Sequence, residues 1–193
     1  MIAGVDEAGR GPWAGPVVAA AVILRDVVPP GLDDSKKLSA ARREALFAAL
    51  HASDALIGVG EACVAEIDTL NILQATHLAM TRAVDALGTA PSLVLVDGNR
   101  LPRWHWPSRA IIGGDASEAC IAAASIIAKV TRDRLMAALD QDWPAYGWAR
   151  NQGYGTAAHA AALAAFGACP HHRTSFKPVK AAILSQNGHT TRG

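Results

Sequence analysis

Residues 2–16, IAGVDEAGRGPWAGP, place two neighbouring acids, Asp6 and Glu7, inside an apolar run of strand character. An ordinary core strand avoids unpaired carboxylates, because an isolated charge in an apolar interior is very costly. The pair needs a counter-charge, and a divalent cation is the natural one. Gly9, Arg10, Gly11 and Pro12 follow at once. A turn with glycine on both sides of Arg10 leaves a backbone bare enough to approach a ligand closely. A second apolar run covers 17–24, so the stretch reads as two successive strands with a Gly/Pro-rich connection. Acids beside an open backbone point to metal-assisted chemistry on an anionic substrate.

The same reading extends along the chain. Residues 25–37 form a loop holding Pro29-Pro30-Gly31 and Asp34-Ser35-Lys36-Lys37, and Ser39 is placed to cap a helix over 40–51. Residues 54–62 read as a third strand. Asn71 opens a helix to about 87, closed by Gly88, with Leu73, His77, Met80 and Val84 on one face. SLVLV at 92–96 is a strand ending in Asp97-Gly98-Asn99, and 110–112 is a short one ending in Gly113-Gly114-Asp115. A long helix is expected over 117–139, an aromatic loop over 143–154, and a helix over 157–166 closed by Gly167. The polar tail from 185 is expected to fray. Three strands in a meander, then strands alternating with helices, predict an α/β fold with parallel pairing in its second half. No repeat or linker divides residues 1–193, so one domain is expected, helical from about 140.

Size and composition narrow the class. A chain of 193 residues, 51% hydrophobic, supports one domain with a substantial core. No apolar stretch approaches the ~20 residues that span a bilayer. The strand pattern starts at Ile2, so no signal peptide is expected. Cys63, Cys120 and Cys169 are far apart and lack zinc-site spacing, as reduced thiols of a cytoplasmic protein would be. A net charge of +1 does not by itself announce a nucleic-acid binder. That reading rests on local clusters: Lys36-Lys37, Arg42-Arg43, Arg100 with Arg103, Lys129 with Arg132 and Arg134, and His171-His172-Arg173 with Lys177 and Lys180.

Asp97 and Asp115 each follow an apolar run, at the carboxyl ends of strands where α/β sheets bind ligands. If the first strand neighbours the 92–96 strand, Asp6, Glu7, Asp97 and Asp115 converge at one rim. Such a cluster suits Mg²⁺ or Mn²⁺, hard ions that favour oxygen ligands. Successive strand residues point to opposite faces. One of Asp6 and Glu7 is therefore expected where the strand ends or bends, close to Gly9.

VDEAGRGP, DSKKLS, VDGNR and ASIIAKVTRD, in this order, resemble the signatures of bacterial ribonuclease HII, the type 2 ribonuclease H. The resemblance runs from about Ile2 to Lys180. The related ribonuclease HIII usually carries an N-terminal substrate-binding domain and a Gly-Thr-Gly turn, so Gly9-Arg10-Gly11 favours HII. The resemblance implies a ribonuclease H-like fold: a mixed five-stranded sheet, three antiparallel strands and then parallel ones, flanked by helices, with a helical C-terminal segment. It implies that Asp6, Glu7, Asp97 and Asp115 are the catalytic, metal-binding carboxylates. The lysine often found two residues before the last acid is Gly113 here.

The activity so implied is metal-dependent endonuclease cleavage of the RNA strand of RNA–DNA hybrids and of duplex DNA 5′ to an embedded ribonucleotide. Two ions, Mg²⁺ or Mn²⁺, about 3.5–4 Å apart would act across the scissile phosphate. They would leave 3′-hydroxyl and 5′-phosphate ends. The backbone of Gly9, Arg10 and Gly11 would contact the 2′-hydroxyl that distinguishes RNA from DNA. Tyr154 resembles the family tyrosine that stacks on the sugar of the following deoxynucleotide. Lys36 and Lys37 are placed for phosphate contact, which sets register without reading sequence. Ser125, Lys129 and Arg132 recur at i, i+4, i+7 and share a helix face that lines the site or the duplex groove; Asp133 and Arg134 lie off it.

Other readings are a different ribonuclease H-like nuclease or recombinase, or a catalytically silent binding module. The silent module gains nothing from clustered negative charge near phosphate. A histidine-driven ribonuclease built on His171-His172 would leave the acids without a purpose. No obligate protein partner and no membrane are expected, and the tail SQNGHTTRG lacks the Gln-led aromatic pattern of a sliding-clamp peptide.

Overall fold

The structure, a computed structural model, describes residues 1–190, with side chains through Gln186. Its sheet joins β1 (Ile2–Ala8), β2 (Val17–Ile23), β3 (Leu56–Ala62), β4 (Leu93–Asp97) and β5 (Ser108–Ile111) in the order β3-β2-β1-β4-β5. The first three strands pair antiparallel, and β4 runs parallel to both β1 and β5. This is the expected mixed sheet.

The helices are α1 (Ala40–Ala52), α2 (Val64–Leu70), α3 (Ile72–Asp85), α4 (Gly114–Ser117), α5 (Ala119–Asp142), α6 (Trp148–Asn151), α7 (Ala157–Phe166) and α8 (Lys177–Thr190). Ser39 caps α1, its hydroxyl accepting from the Arg42 amide at 3.2 Å. Asn71 opens α3 as expected, at φ +73°, its side chain accepting from the Leu73 and Gln74 amides. The same residue ends α2, a helix the sequence pattern did not reveal. Two segments differ from expectation. The aromatic stretch at 143–154 contains a 3₁₀ turn (Pro144–Tyr146) and α6. The tail expected to fray from 185 continues as α8 through Thr190, and residues 191–193 lie outside the described ones.

Strand parity sorts the core into two layers. Ala3 and Val5 of β1 and Val94 and Val96 of β4 pack with Ala75, Ala79, Met80 and Ala83 of α3 on one face. Ala20 and Val22 of β2 pack with Ala123, Ala124 and Ile127 of α5 and with Leu46 and Leu50 of α1 on the other. β2 is buried along its whole length, so it reads as a continuous apolar run. A third cluster, Ala14, Met136, Tyr146 and Trp148 among its members, fixes the C-terminal segment against the end of α5. No helix among the described residues is long and apolar enough to cross a membrane.

The alanines of α5 let it approach β1 closely, and at Gly4 the two backbones leave no room for a side chain. A Cβ there would stand 2.2 Å from the Cys120 carbonyl carbon. That is backbone, which cannot rotate aside, so Gly4→Ala is expected to cost about 1–3 kcal/mol or more. In a chain of this size the melting temperature falls by roughly 2–4 °C per kcal/mol. A circular-dichroism melt within 1 °C or so of the parent would show that the layers part freely.

Candidate active site

The parallel register of β1 and β4 pairs Val5 with Val96, which sets Asp6 beside Asp97 on the same face of the sheet. That face is covered by α5, whose Ser125 lines the same cavity as Asp6. Asp115 arrives from α4, next to the carboxyl end of β4. The Asp97 Oδ1 accepts from the Gly114 amide at 2.8 Å and from the Asp115 amide at 3.4 Å, so one acid holds the turn that carries the next. Asp6, Asp97 and Asp115 each bring a carboxylate oxygen within 4.8 Å of the others. Asp6 is 5% exposed and Asp115 7%. Gly113 stands at φ +67° at the start of α4, a conformation that suits glycine and would strain a lysine.

Glu7 reaches the same cavity from the opposite side of β1. β1 does not bend at the acids; it stays paired with β2 through Ala8, and Gly9 at φ +97° turns the chain only afterwards. Glu7 therefore shares the α3-facing parity of Ala3 and Val5. There it accepts from Arg10 Nη1 at 3.3 Å. Asp97, at the tip of β4, mediates between the two sides. It lines a cavity of about 280 Å³ with Asp6, Glu7, Gly9–Gly11, Lys36, Lys129 and Tyr154. It also lines a second recess with Glu7, Arg10, His77 and Arg100. Strand alternation thus splits the adjacent pair, and both acids reach Asp97 at the rim from opposite faces.

The electrostatics are those of several acids crowded together away from water. Burial, then the charges of Glu7 and Asp97, hold the Asp6 carboxyl well above its usual value. Burial also raises Glu7, against the opposing pull of Arg10. Asp115 is raised by burial and by Asp97 and Asp34. Oxygen-donor acids crowded in this way fit a hard divalent cation, which would reverse the penalties on Asp6 and Asp115. Lys36 Nζ lies 3.6 Å from Asp115 Oδ2. Burial opposes its charge, but Asp34 and Asp115 outweigh that and hold the ammonium above its ordinary value.

The remaining expected residues divide by what they touch. Lys37 turns away from the acids to Asp33 at 3.2 Å. Lys129 lines the cavity but is paired with Asp133 at 2.6 Å, which gives Asp133 a partner that its place off the helix stripe did not suggest. Ser125 hydrogen-bonds Ser35 at 2.7 Å, and this buried pair seats the 25–37 loop on α5. Ser35, hidden in DSKK, had no signal beyond its neighbours.

Arg132 lines the cavity with Ser125 and Lys129. It is 1% exposed, and its guanidinium donates to the carbonyls of Pro16 (3.0 Å), Gln152 (2.9 Å) and Ala14 (3.0 Å). Its helix face does meet the site, but these contacts direct it into the loop backbone rather than toward a phosphate. Arg173, read as part of a basic cluster, is likewise buried. It donates to the carbonyls of Gly9 (2.6 Å), Arg10 (3.0 Å), Gly15 (2.9 Å) and Pro16 (3.2 Å). A Cβ on Gly9 would lie 1.9 Å from Arg132 Nε, so the turn rests directly on this arginine. The Tyr154 ring, 47% exposed, stands over Gly11, where a Cβ would lie 3.4 Å from its Cε1.

The protein-family model for ribonuclease HII matches residues 3–179. The chain belongs to the ribonuclease HII family. It is 67% identical to the ribonuclease HII of Sphingopyxis alaskensis over 179 residues, covering 93% of this chain and 90% of the relative. The crystal structure of ribonuclease H2 from Pyrococcus horikoshii superposes with a TM-score of 0.77 at 28% identity, over 96% of this chain and 98% of the other. The ribonuclease HII of Archaeoglobus fulgidus, solved as a complex with PCNA, gives 0.77 at 26% identity over 94% and 96%. Membership of the ribonuclease HII family makes this a type 2 ribonuclease H, an enzyme that hydrolyses RNA paired with DNA, and the fold is ribonuclease H-like.

Proposed function

We propose that this ribonuclease HII nicks duplex DNA on the 5′ side of an embedded ribonucleotide, besides cutting the RNA of hybrids, and leaves 3′-hydroxyl and 5′-phosphate ends. The observation that carries this reading is the juxtaposition, in one cavity, of Asp6 and Asp97, the bare Gly9–Gly11 backbone and the Tyr154 ring, with Asp115 clustered against the two acids. Asp6, Asp97 and Asp115 would hold Mg²⁺ or Mn²⁺, with Glu7 reaching the rim from the other face. When bound, the metal supplies Lewis-acid charge at the phosphate and lowers the pKa of water.

The chain's own groups do the selecting. The carbonyls of Gly9 and Arg10 are held by Arg173. In a trans peptide the N–H points opposite its carbonyl. The Arg10 and Gly11 amides are therefore aimed away from Arg173, on the side of the turn available to a 2′-hydroxyl oxygen. DNA offers no such acceptor, so the turn favours a ribose. Tyr154 beside Gly11 adds a flat apolar surface for the next sugar, where a deoxyribose lacks the hydroxyl that would crowd it. Lys36, adjacent to Asp115, supplies positive charge for the phosphate. The recess bearing Arg10, His77 and Arg100 extends toward Arg103 and suits the backbone of the duplex. This reading puts the enzyme in the cytoplasm, with DNA, and requires no partner protein.

The test is a nicking assay on a duplex with one ribonucleotide, beside a long RNA–DNA hybrid, in Mg²⁺, Mn²⁺ or EDTA, with product ends mapped. Cleavage 3′ of the ribonucleotide would overturn the reading. Tyr154→Ala is expected to lower kcat/KM at the single ribonucleotide about tenfold more than on the hybrid, the scale of one lost stacking contact. Equal losses on both substrates would argue against junction reading.

A further inference from the structure

We propose that the buried pair His159–His172 is a positioning relay that sets Tyr154, and thereby the preference for a ribonucleotide followed by a deoxynucleotide. The inference rests on the reading of Tyr154 as the sugar-stacking residue. Neither histidine lines the cavity that holds the acids. Both are fully or almost fully buried, and a buried polar ring must be hydrogen-bonded.

The geometry admits one proton arrangement. The Cys169 amide can only donate, and it donates to His172 Nδ1 at 3.0 Å. His172 Nδ1 is therefore bare and its Nε2 carries the hydrogen. That nitrogen lies 3.0 Å from His159 Nε2, which must accept. The Trp148 indole N–H, also only a donor, meets the same His159 Nε2 at 3.2 Å. His159 is left with its hydrogen on Nδ1, which donates to the Tyr154 carbonyl at 2.9 Å. Two obligate donors thus orient the chain Cys169 → His172 → His159 → Tyr154. Burial lowers both imidazoles, His172 to about 4 with the charge of His159 adding to the effect, which keeps both rings neutral as the relay requires.

The relay ends where precision matters. The Tyr154 carbonyl also accepts from the Thr156 amide at 2.8 Å, and the Tyr154 amide donates to the Asn151 carbonyl at 2.8 Å. Those two bonds stay within the loop; the His159 bond reaches into the buried interior. Trp13 joins the loop from the other side, its amide donating to the Gly153 carbonyl at 2.8 Å and its ring 5.5 Å from that of His159. Trp13 lies two residues past Gly11 of the turn, so the relay holds the two sugar-reading elements at a set separation. A shift on the order of 1 Å at a positioning group can change rates greatly.

His159→Asn and His159→Gln separate positioning from mere filling of space. Asparagine places its N–H₂ near the position of Nδ1 and keeps the donor to Tyr154. Glutamine extends its amide toward the Nε2 position and removes that donor. With both variants shown to be folded by thermal melts, His159→Gln is expected to reduce kcat/KM on the single-ribonucleotide duplex about tenfold relative to the long hybrid, comparable with losing the stack itself. His159→Asn is expected to keep the ratio within about twofold. If His159→Gln does not fold, His172→Asn serves. It keeps an acceptor for Cys169 but removes the donor to His159, which frees that ring's tautomer and lowers the same ratio. An unchanged ratio in every folded variant overturns the relay. Tyr154→Ala, assayed in parallel, tells the two failures apart. If it shifts the ratio while the histidine variants do not, only the relay fails; if it too leaves the ratio unchanged, the reading of Tyr154 fails.

Discussion

Asp6→Asn is expected to abolish cleavage of both substrates, by about 10³-fold or more, equivalent to ~4 kcal/mol of barrier, while making the metal-free protein more stable. The amide keeps an oxygen for the Glu7 amide, which the carboxylate now accepts at 2.7 Å. It removes a ligand charge from a cluster whose oxygens lie within 4.8 Å. The sign of the stability change follows from the raised carboxyl of Asp6, caused by burial and then by Glu7 and Asp97. A carboxyl whose folded pKa lies above its unfolded one contributes stability at low pH, and this is lost as pH rises through the folded value. The asparagine variant therefore gains over the parent at neutral pH in EDTA, and the gain vanishes below the ordinary carboxylate range. Adding Mn²⁺ or Mg²⁺ should stabilise the parent more than the variant, since a ligand bound to the native state raises its stability. Parallel melts at pH 4 and pH 8, with and without metal, make the comparison. Near-parent activity in Mg²⁺ would remove Asp6 from the metal site.

Arg173→Met carries the second large effect, on stability and selectivity together. Methionine is close in length and apolar, yet it leaves the carbonyls of Gly9, Arg10, Gly15 and Pro16 without their donor. A hydrogen bond from a charged group contributes roughly 1.5–3 kcal/mol, and a buried acceptor left unmade costs about 1–3 kcal/mol. Some of that loss is offset, because Arg173 is itself a buried cation, its pKa lowered to about 9 by burial and by Arg132. The net expectation is a loss of roughly 3–5 kcal/mol, or on the order of 10 °C in melting temperature. The released turn no longer aims its amides at the ribose, so discrimination against DNA falls along with the rate. Arg173→Lys should recover little, since one ammonium cannot fork across four carbonyls. A methionine variant that melts within a degree or two of the parent and keeps its selectivity would falsify the clasp.

Much of the fold was legible because periodicity reports burial. The β2 run, the Ser39 cap and the alanine-rich helix that became α5 are each local patterns with a local cause. α2 was missed since Asn71 ends one helix and begins the next within a single residue, which in sequence looks like one start signal. Among candidate site residues, the acids at strand ends could be found from pattern. Arg132 was read only as part of a helix face lining the site or the groove, and Arg173 only as part of a basic cluster. Their true partners are backbone carbonyls, which have no signature in sequence. Arg173 lies 164 positions from the Gly9 carbonyl it holds.

Local pattern alone shows acids inside a strand next to a bare glycine turn, and the order of the motifs was specific enough to indicate the family. Chain composition and local spacing suffice for that, because both act within a few residues. Only the tertiary structure decided how the site is assembled. The parallel register of β1 with β4 brings Asp97 alongside Asp6 and places Asp115 within reach. The same strand alternation sends Glu7 to the opposite face, which resolves how two adjacent acids serve one rim. Two buried arginines and a histidine pair then hold the turn and Tyr154 in register. Many of these choices depend on contacts between segments distant in the chain, such as Val5 with Val96 and Gly9 with Arg173, where burial, close packing and the need to satisfy every buried polar group act across the whole fold.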